Sequence, residues 1–591
     1  MFSKKIKDFF YTFCPYIILL LLCMPAIFPL FHSGFFSMHD DEQIARLYEL
    51  DQSVKATEIP PRWVSNLGFG FGYPLFNFYP PLVYYFGEAF HLLGFTLIDS
   101  TKIVMGLGFL LSALFMFLWV RKYAGNLGGI VAAVLYIYAP YHGVDIYVRG
   151  AMAEFFSFVW LPAVFWSIDK VADKKSSVYV LVSSIFLACM VLTHNLIALP
   201  FAFFLITYII FVLIRHKNEI AVLVPRYLII GIISLGLSAY FWLPALAEKQ
   251  YTLVDIILTR ELANYAIHFV YIGQFWNSPW GYTGSVAGSN DGLTFQVGKF
   301  QLLLSFLTGI VSVYFLCKRK KENTLITFGI FGFFSFSLFM TTSYSKPIWD
   351  ALQPLAYLQF PWRFLEFSAV FAAFLGGICI VYIKKIFGEK ITLFIGGFII
   401  LGSILFIVRY FHPQMFVTDN DNAYIANNDI QWRVSSMSFE YVPKGVSTHL
   451  SAINTTHLTI EKKDIPKKSF QVVNGNIAVA EEINKPSYKK YTVSGTGGIM
   501  AINTYMFPGW QVSIDGRKEQ IIKYGKLQLI SFSVPSGNHT IEVSFKNTPV
   551  RTIGNFLSII AFCMVVVAIL YSYCINNAII KKAKSLRSSI F

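Results

Sequence analysis

Twelve runs of apolar, almost uncharged residues divide this chain, and they limit its fold more than any other feature. The first, Phe9 to about Phe31, is long enough to cross a hydrocarbon layer of ~30 Å. The others fall near 100–120, 126–140, 151–168, 176–193, 196–214, 222–246, 300–317, 324–343, 363–383, 391–409 and 553–575. Only 14% of the residues are charged and 55% are hydrophobic, whereas a soluble domain is charged at about a quarter of its positions. The chain reads as a polytopic α-helical membrane protein.

One further apolar stretch, 79–95, begins Tyr79-Pro80-Pro81 and carries Glu88 and His91 on one helical face. The positive-inside rule decides its status. If it does not span, Arg121-Lys122, Lys170 with Lys174-Lys175, Arg215 with Lys217, Lys318 to Lys321, Lys384-Lys385 and Lys581-Lys582 all share a side with Lys4, Lys5 and Lys7. It is therefore expected to lie as an amphipathic helix in the outer interface. The expected topology is a multi-pass protein of the cytoplasmic membrane with both termini cytoplasmic. Its long polar segments, 32–99, 247–299, 344–362 and 410–550, are then extracytoplasmic.

The short inner loops leave no room for a nucleotide-binding domain, and neither GxxxxGK[ST] nor GxGxxG lies beside a strand pattern. The net charge of +15 is dispersed between apolar runs as topology signals are, which argues against nucleic acid. The seven cysteines all lie in or beside apolar runs, so no disulfide framework is expected in 410–550. The first span lacks a small-residue cleavage site and is expected to be retained.

Three regions follow: 1–409 with eleven spans, an extracytoplasmic β-rich domain at 410–550, and 551–591 with the last span and a basic tail. Within 410–550 the periodicity alternates. Gln511 to Ile514 followed by Asp515-Gly516 reads as a strand and a hairpin turn, since Asp-Gly supplies positive φ. Leu527 to Val534, Pro535 to Asn538 and Thr540 to Phe545 read as another hairpin, and the whole as a small β-sandwich.

The candidate chemistry sits at span ends. His39-Asp40-Asp41-Glu42 follows the first span, and carboxylates at headgroup depth are costly unless they serve a site or a water-filled cavity. They also suit the first turn of a following helix, about Glu42 to Ser53. Asp145, Arg149 and Glu154 occupy a short turn between two spans, where an Asp145–Arg149 pair at i,i+4 and a Glu154–Arg149 pair are the structural alternatives. His194 ends a span beside Asn195 and can bond phosphate, shuttle protons or simply cap a helix. Arg363, in Gln359-Phe360-Pro361-Trp362-Arg363, has the planar fork that matches phosphate oxygens, although Trp and Arg are also ordinary interfacial anchors. Glu366 follows one turn on.

An outer acid cluster after span one, the juxtamembrane helix from Tyr79-Pro80-Pro81-Leu82 and a second acidic turn after span three together resemble the GT-C integral-membrane glycosyltransferases. More closely, the chain resembles the bacterial YfhO-like, 6-pyruvoyl-tetrahydropterin synthase-related membrane proteins. That likeness rests on Pro60-Pro61-Arg62-Trp63 with Gly70-Phe71-Gly72-Tyr73-Pro74, on Arg149 to Glu154, on Leu358 to Phe364, and on Phe507-Pro508-Gly509-Trp510 with Asp515-Gly516. No zinc–histidine pterin site is visible.

The resemblance implies transfer of a sugar from a polyprenyl-phosphate carrier to a cell-envelope polymer or lipid acceptor, with membrane lipids around the protein. It makes Asp40, Asp41 and Glu42 the catalytic candidates. Arg62, Tyr73, Asp145, Arg149, Glu154, His194 and Arg363 become the substrate-binding ones. The cluster reads Asp-Asp-Glu rather than the Asp-x-Asp of metal-dependent oligosaccharyltransferases. A divalent metal therefore stays open but is not favoured, and no other cofactor is expected. The alternative is a non-catalytic assembly factor or a lipid-linked glycan transporter.

Overall fold

The computed structural model describes residues 2–259, 263–317, 324–451 and 455–588, with side chains described between 13 and 572. Lys318 to Lys321 lie outside the described residues. Lys4, Lys5, Lys7, Lys581, Lys582 and Cys574 lie where only helix backbone is described.

The helices, in chain order, are α1 (Phe2–Ile27), α2 (Gln43–Lys55), α3 (Leu82–Leu92), α4 (Leu97–Ile137), α5 (Met152–Lys174), α6 (Ser177–Thr193), α7 (Asn195–Arg215), α8 (Ile220–Leu237), α9 (Ala239–Glu248), α10 (Lys299–Cys317), α11 (Thr324–Thr341), α12 (Leu365–Ile407) and α13 (Pro549–Ser588). Nine apolar stretches among the described residues have the length and composition to cross a membrane. Two of them are broken by a glycine at positive φ: Gly125 (φ 69°) in α4 and Gly388 (φ 79°) in α12. L-residues avoid that region, so the glycine is where one apolar run becomes two. The limbs of α4 fold back on each other, because a Cβ on Gly129 would come within 2.8 Å of the Phe117 ring. Separating the limbs and adding the 17-residue α6 gives the twelve runs of the sequence. Helix α3, of 11 residues, is only ~16 Å long at a rise of ~1.5 Å per residue, too short to cross.

Aromatic residues fill the bundle. Trp119 of α4 stacks on Phe165 of α5 at 4.7 Å and meets Phe374 of α12 at 4.7 Å. Such rings bury large apolar areas in fixed orientations.

The β-rich region is one sheet of seven antiparallel strands: β1 (Phe470–Asn484), β2 (Tyr488–Tyr505), β3 (Trp510–Ile514), β4 (Arg517–Glu519), β5 (Ile522–Tyr524), β6 (Leu529–Val534) and β7 (Gly537–Phe545). The Asp515-Gly516 hairpin joins β3 to β4, with φ of 47° and 77° at its two turn residues. The second expected hairpin is corrected, since β6 and β7 do not pair with each other. Both pair with β2, β7 along 488–495 and β6 along 498–505. Between these lengths β2 passes through Gly495, Gly497 and Gly498, all at positive φ. A Cβ on Gly498 would lie 2.3 Å from the Asn474 carbonyl oxygen. The glycines let the sheet bend, so the two strands lie end to end along one edge while β1 runs along the other.

Residues 411–446 pack on the first loop. Phe35 and Phe36 pair with Val417 and Phe416, and the Asp421 carboxylate accepts from the Leu97 and Ile98 N–H groups at 2.8 and 3.0 Å. A buried polar clamp ties the last helix to the same loop. Glu248 of α9 accepts from Arg551 at 2.8 Å and from Asn77 at 2.9 Å, while Arg62 donates to Asn77 and Asn555.

Candidate active site

The acid cluster meets the turn between α4 and α5 through its backbone. The second limb of α4 continues through Pro140–Val144 into a π-helical turn, Asp145–Arg149, which Gly150 ends at φ 69°. The His39 N–H donates to the Val148 carbonyl at 3.1 Å and the Asp40 N–H to the Arg149 carbonyl at 2.8 Å. Gly150 is required for this approach, because a Cβ there would lie 2.0 Å from the Met38 sulfur. Segments 109 residues apart are thereby held in register.

The three acids then part company. The Asp41 carboxylate pairs with Arg433 Nη1 at 3.0 Å, and Arg433 also grips Asp429. Glu42 pairs with Arg46 at 2.8 Å, and the Arg46 guanidinium lies 4.0 Å over the Tyr79 ring and donates to Ser438. Burial pushes the Asp41 carboxyl up to about 6 against the pull of Arg433, and the Glu42 carboxyl up to about 7 against that of Arg46. The half-buried Asp40 carboxylate has no side-chain partner among the described residues. Its charge acts on Arg149 and Asp145 on one side and on Glu42, Tyr79 and Glu440 on the other.

Behind Asp40 lies a buried network. Arg149 pairs with Asp145 and, at 3.0 Å, with Glu154 Oε1. Arg363 Nε reaches Glu154 Oε2 at 2.9 Å, and its Nη1 donates to the Leu358 carbonyl and to Gln359. Tyr141 donates to Glu154 at 2.5 Å, and the Arg149 guanidinium lies 4.6 Å over the Trp362 ring. One carboxylate thus orients both arginines. Each still keeps N–H groups free of partners among the described residues: Nε and Nη2 of Arg149, and Nη2 of Arg363. Ser157 links Glu154 to Glu366, donating to the Glu366 carboxylate at 2.6 Å. One oxygen each of Asp145 and Glu366 is buried without a hydrogen-bond partner among the described residues.

The structure therefore brings Asp40, Asp145, Arg149, Glu154 and Arg363 together. His194 lies close enough for Glu154 and Arg363 to act on its ring, while its Nδ1 caps α7 by accepting from the Ile197 N–H at 3.1 Å. Arg62 and Tyr73 are placed elsewhere. Arg62 is spent in the clamp with Asn77 and Asn555, and Tyr73 is fully buried with its hydroxyl on the Ser438 carbonyl. Arg363 is no snorkelling anchor, since it is buried and held by three hydrogen bonds. Sequence reasoning left out Tyr141, Arg46, Arg433 and Tyr282, whose carbonyl faces His39 Nε2 at 3.0 Å. Those four carry no local signal, whereas Glu366, named above, stands out as a charge inside an apolar run. Among the described residues no three His, Cys, Asp or Glu side chains form a metal-ligand group.

A bundle of apolar helices, a bent extramembrane sheet and a buried arginine–carboxylate network at the helix ends define a polytopic membrane protein. The chain belongs to the membrane-protein family that carries the 6-pyruvoyl-tetrahydropterin synthase related domain, whose model matches residues 76–411. An uncharacterized protein of Lactococcus lactis subsp. cremoris (strain MG1363) is 24% identical over 341 residues, 56% of this chain and 53% of that protein. This chain thus spans about half the length of the curated relative it matches. Among solved structures, the Archaeoglobus fulgidus oligosaccharyltransferase in complex with zinc and sulfate aligns over 68% of this chain and 53% of that one. That alignment has 11% identity and a TM-score of 0.38, too loose to fix a shared architecture.

Proposed function

We propose that this protein is a glycosyltransferase that moves a sugar from a polyprenyl-phosphate carrier to a cell-envelope acceptor on the extracytoplasmic face of the cytoplasmic membrane. The observation that carries this reading is the Asp40 carboxylate, free of side-chain partners among the described residues and tied by its backbone N–H to the Arg149 carbonyl. Asp40 takes the proton of an acceptor hydroxyl as general base. The acceptor oxygen attacks the anomeric carbon, and the bond from that carbon to the phosphate oxygen breaks, its electron pair leaving with the lipid phosphate. The free N–H groups of Arg149 and Arg363 meet the negative charge that develops there, in orientations already set by Glu154. Guanidinium groups suit that role because their planar donors match phosphate oxygens. Asp41 and Glu42 position the segment through Arg433 and Arg46.

The test is transfer of radiolabelled sugar from a polyprenyl-phosphate donor in proteoliposomes, by the wild type and by Asp40→Asn. Donor-dependent labelling of an acceptor that the variant loses supports the reading. Movement of the intact donor across the bilayer without any transfer would make the protein a transporter instead.

A further inference from the structure

A cavity of about 480 Å³ opens where residues 63–71 of the first loop meet the sheet domain. Small-molecule sites commonly occupy ~300–1,000 Å³. Its wall is polar. Asn427 and Gln431 carry side-chain amides without a partner among the described residues, and Asn66, Asn484 and Asn503 add amides already bonded within the protein; an amide both donates and accepts hydrogen bonds. Vicinal hydroxyls of a saccharide require that pairing, whereas a lipid chain would be poorly matched to it. Three lysines, Lys467, Lys468 and Lys489, face a single carboxylate, Glu481. Lys467 and Lys468 are exposed and form no ion pair among the described residues. The Glu481 carboxylate already accepts from Ser469.

We propose that this cavity binds an anionic glycan, a saccharide bearing carboxylate or phosphate groups, at a site separate from Asp40. Lys489 is buried in its wall with Nζ on Asn484 Oδ1 at 2.5 Å. Burial pulls that ammonium down to about 8, which leaves it mostly charged at neutral pH. A short piece of chain joins the two sites. Gln431 lines the cavity, and Arg433 of the same turn, Asp429–Val434, holds Asp41. Gly70, at φ 78°, lets its backbone lie against the Gln431 side chain, where a Cβ would come within 3.1 Å. A glycan in the cavity therefore touches the segment that positions the acid cluster. Its role as an acceptor subsite rests on the sugar transfer proposed above, but its binding chemistry does not.

The experiment is calorimetric titration of the full-length protein in detergent with three probes: tetragalacturonate, phosphorylated maltotetraose and neutral maltotetraose. At least one anionic probe should bind, with neutral maltotetraose at least tenfold weaker; which one binds separates carboxylate from phosphate recognition. Lys467→Ala combined with Lys468→Ala, both at exposed positions, should weaken that probe at least tenfold, and Asn427→Ala should weaken it further. Asp40→Asn should bind it as the wild type does. The proposal is overturned if neither anionic probe binds, if the neutral one binds equally well, or if the double variant is unaffected. Loss of binding in Asp40→Asn would also overturn it by placing the anion at the acid cluster. Failure of sugar transfer reads out separately, because these titrations contain no donor.

Discussion

The Asp40 N–H lies 2.8 Å from the carbonyl oxygen of Arg149, a bond between the first loop and a turn more than a hundred residues further along the chain. Together with the His39–Val148 bond it joins the backbones of an aspartate and an arginine whose side chains form no ion pair with each other, although the Asp40 charge acts on Arg149. Arg149 is instead paired with Asp145 and Glu154. Separating backbone register from side-chain pairing is what leaves Asp40 available.

Gly150→Ala tests that register. The residue sits at φ 69° and its new methyl would overlap the Met38 side chain, so the two segments must move apart. A misplacement of about 1 Å near a reacting centre costs on the order of 10²-fold in rate. Transfer should fall by about that much while the protein still inserts and purifies. Wild-type turnover would show that the close approach is dispensable.

The three acids should respond differently to neutralisation. Asp40→Asn should lower transfer by ~10²–10⁴-fold, the usual cost of removing a general base. Asp41→Asn should cost far less, because it loosens only the tether to Arg433. Glu42→Gln should act on stability, since it removes the carboxylate 2.8 Å from a buried Arg46 and leaves Glu440 as its remaining acidic neighbour, a loss of ~1–3 kcal/mol. Kinetics alongside thermal melts of the three variants separate these outcomes. Full activity in Asp40→Asn would reassign the cluster to the start of α2.

These distinctions were only partly legible in the sequence. Apolar run length and the placement of lysines and arginines gave the spans, because membrane crossing is a local property of about 20 residues. The Asp515-Gly516 turn was visible for the same reason. The second hairpin was misread because its pairing depends on the bend at Gly495, Gly497 and Gly498, forty residues upstream. Asp145, Arg149 and Glu154 stood out as charges near apolar runs, and they do converge. Arg62, singled out only through the Pro60-Pro61-Arg62-Trp63 resemblance, belongs to a different buried cluster. Nothing local tells which buried partner an arginine will meet: Arg433 and Asp41 are 392 positions apart.

Arg363→Lys keeps the charge but loses the guanidinium fork. A lysine cannot reach Glu154 with one nitrogen and the Leu358 carbonyl with another, as Arg363 does at 2.9 and 2.7 Å. The variant should raise the KM for the lipid donor at least tenfold, with a smaller effect on the acceptor. Unchanged donor kinetics would remove Arg363 from phosphate recognition.

Sidedness is checked by single cysteines at Asn427 and Lys385, both exposed, in a background lacking the seven native cysteines. A membrane-impermeant thiol reagent should label Asn427→Cys in intact spheroplasts and reach Lys385→Cys only after lysis. The reverse pattern would place Asp40 on the cytoplasmic face and refute transfer outside the cell.

Glu49 gives a prediction about pH. It lies buried in α2, accepts from the Ser65 N–H at 3.1 Å and leaves its other oxygen without a partner among the described residues. Burial raises its carboxyl to about 7, against the smaller opposing pull of hydrogen bonds from Asn66 and Ser65. The unfolded chain releases that proton near ~4.5, so between about pH 4.5 and 7 the folded state holds a proton that the unfolded state has lost. The contribution to stability is therefore complete below pH 4.5 and is lost as the pH rises through 7, a change on the order of 3 kcal/mol. Glu49→Gln is neutral throughout and keeps an oxygen for the Ser65 N–H. Its melting temperature should match the wild type near pH 4.5 and exceed it by a growing margin up to pH 8. A margin that stays constant across that range would mean that the Glu49 carboxyl titrates alike in the folded and unfolded chain.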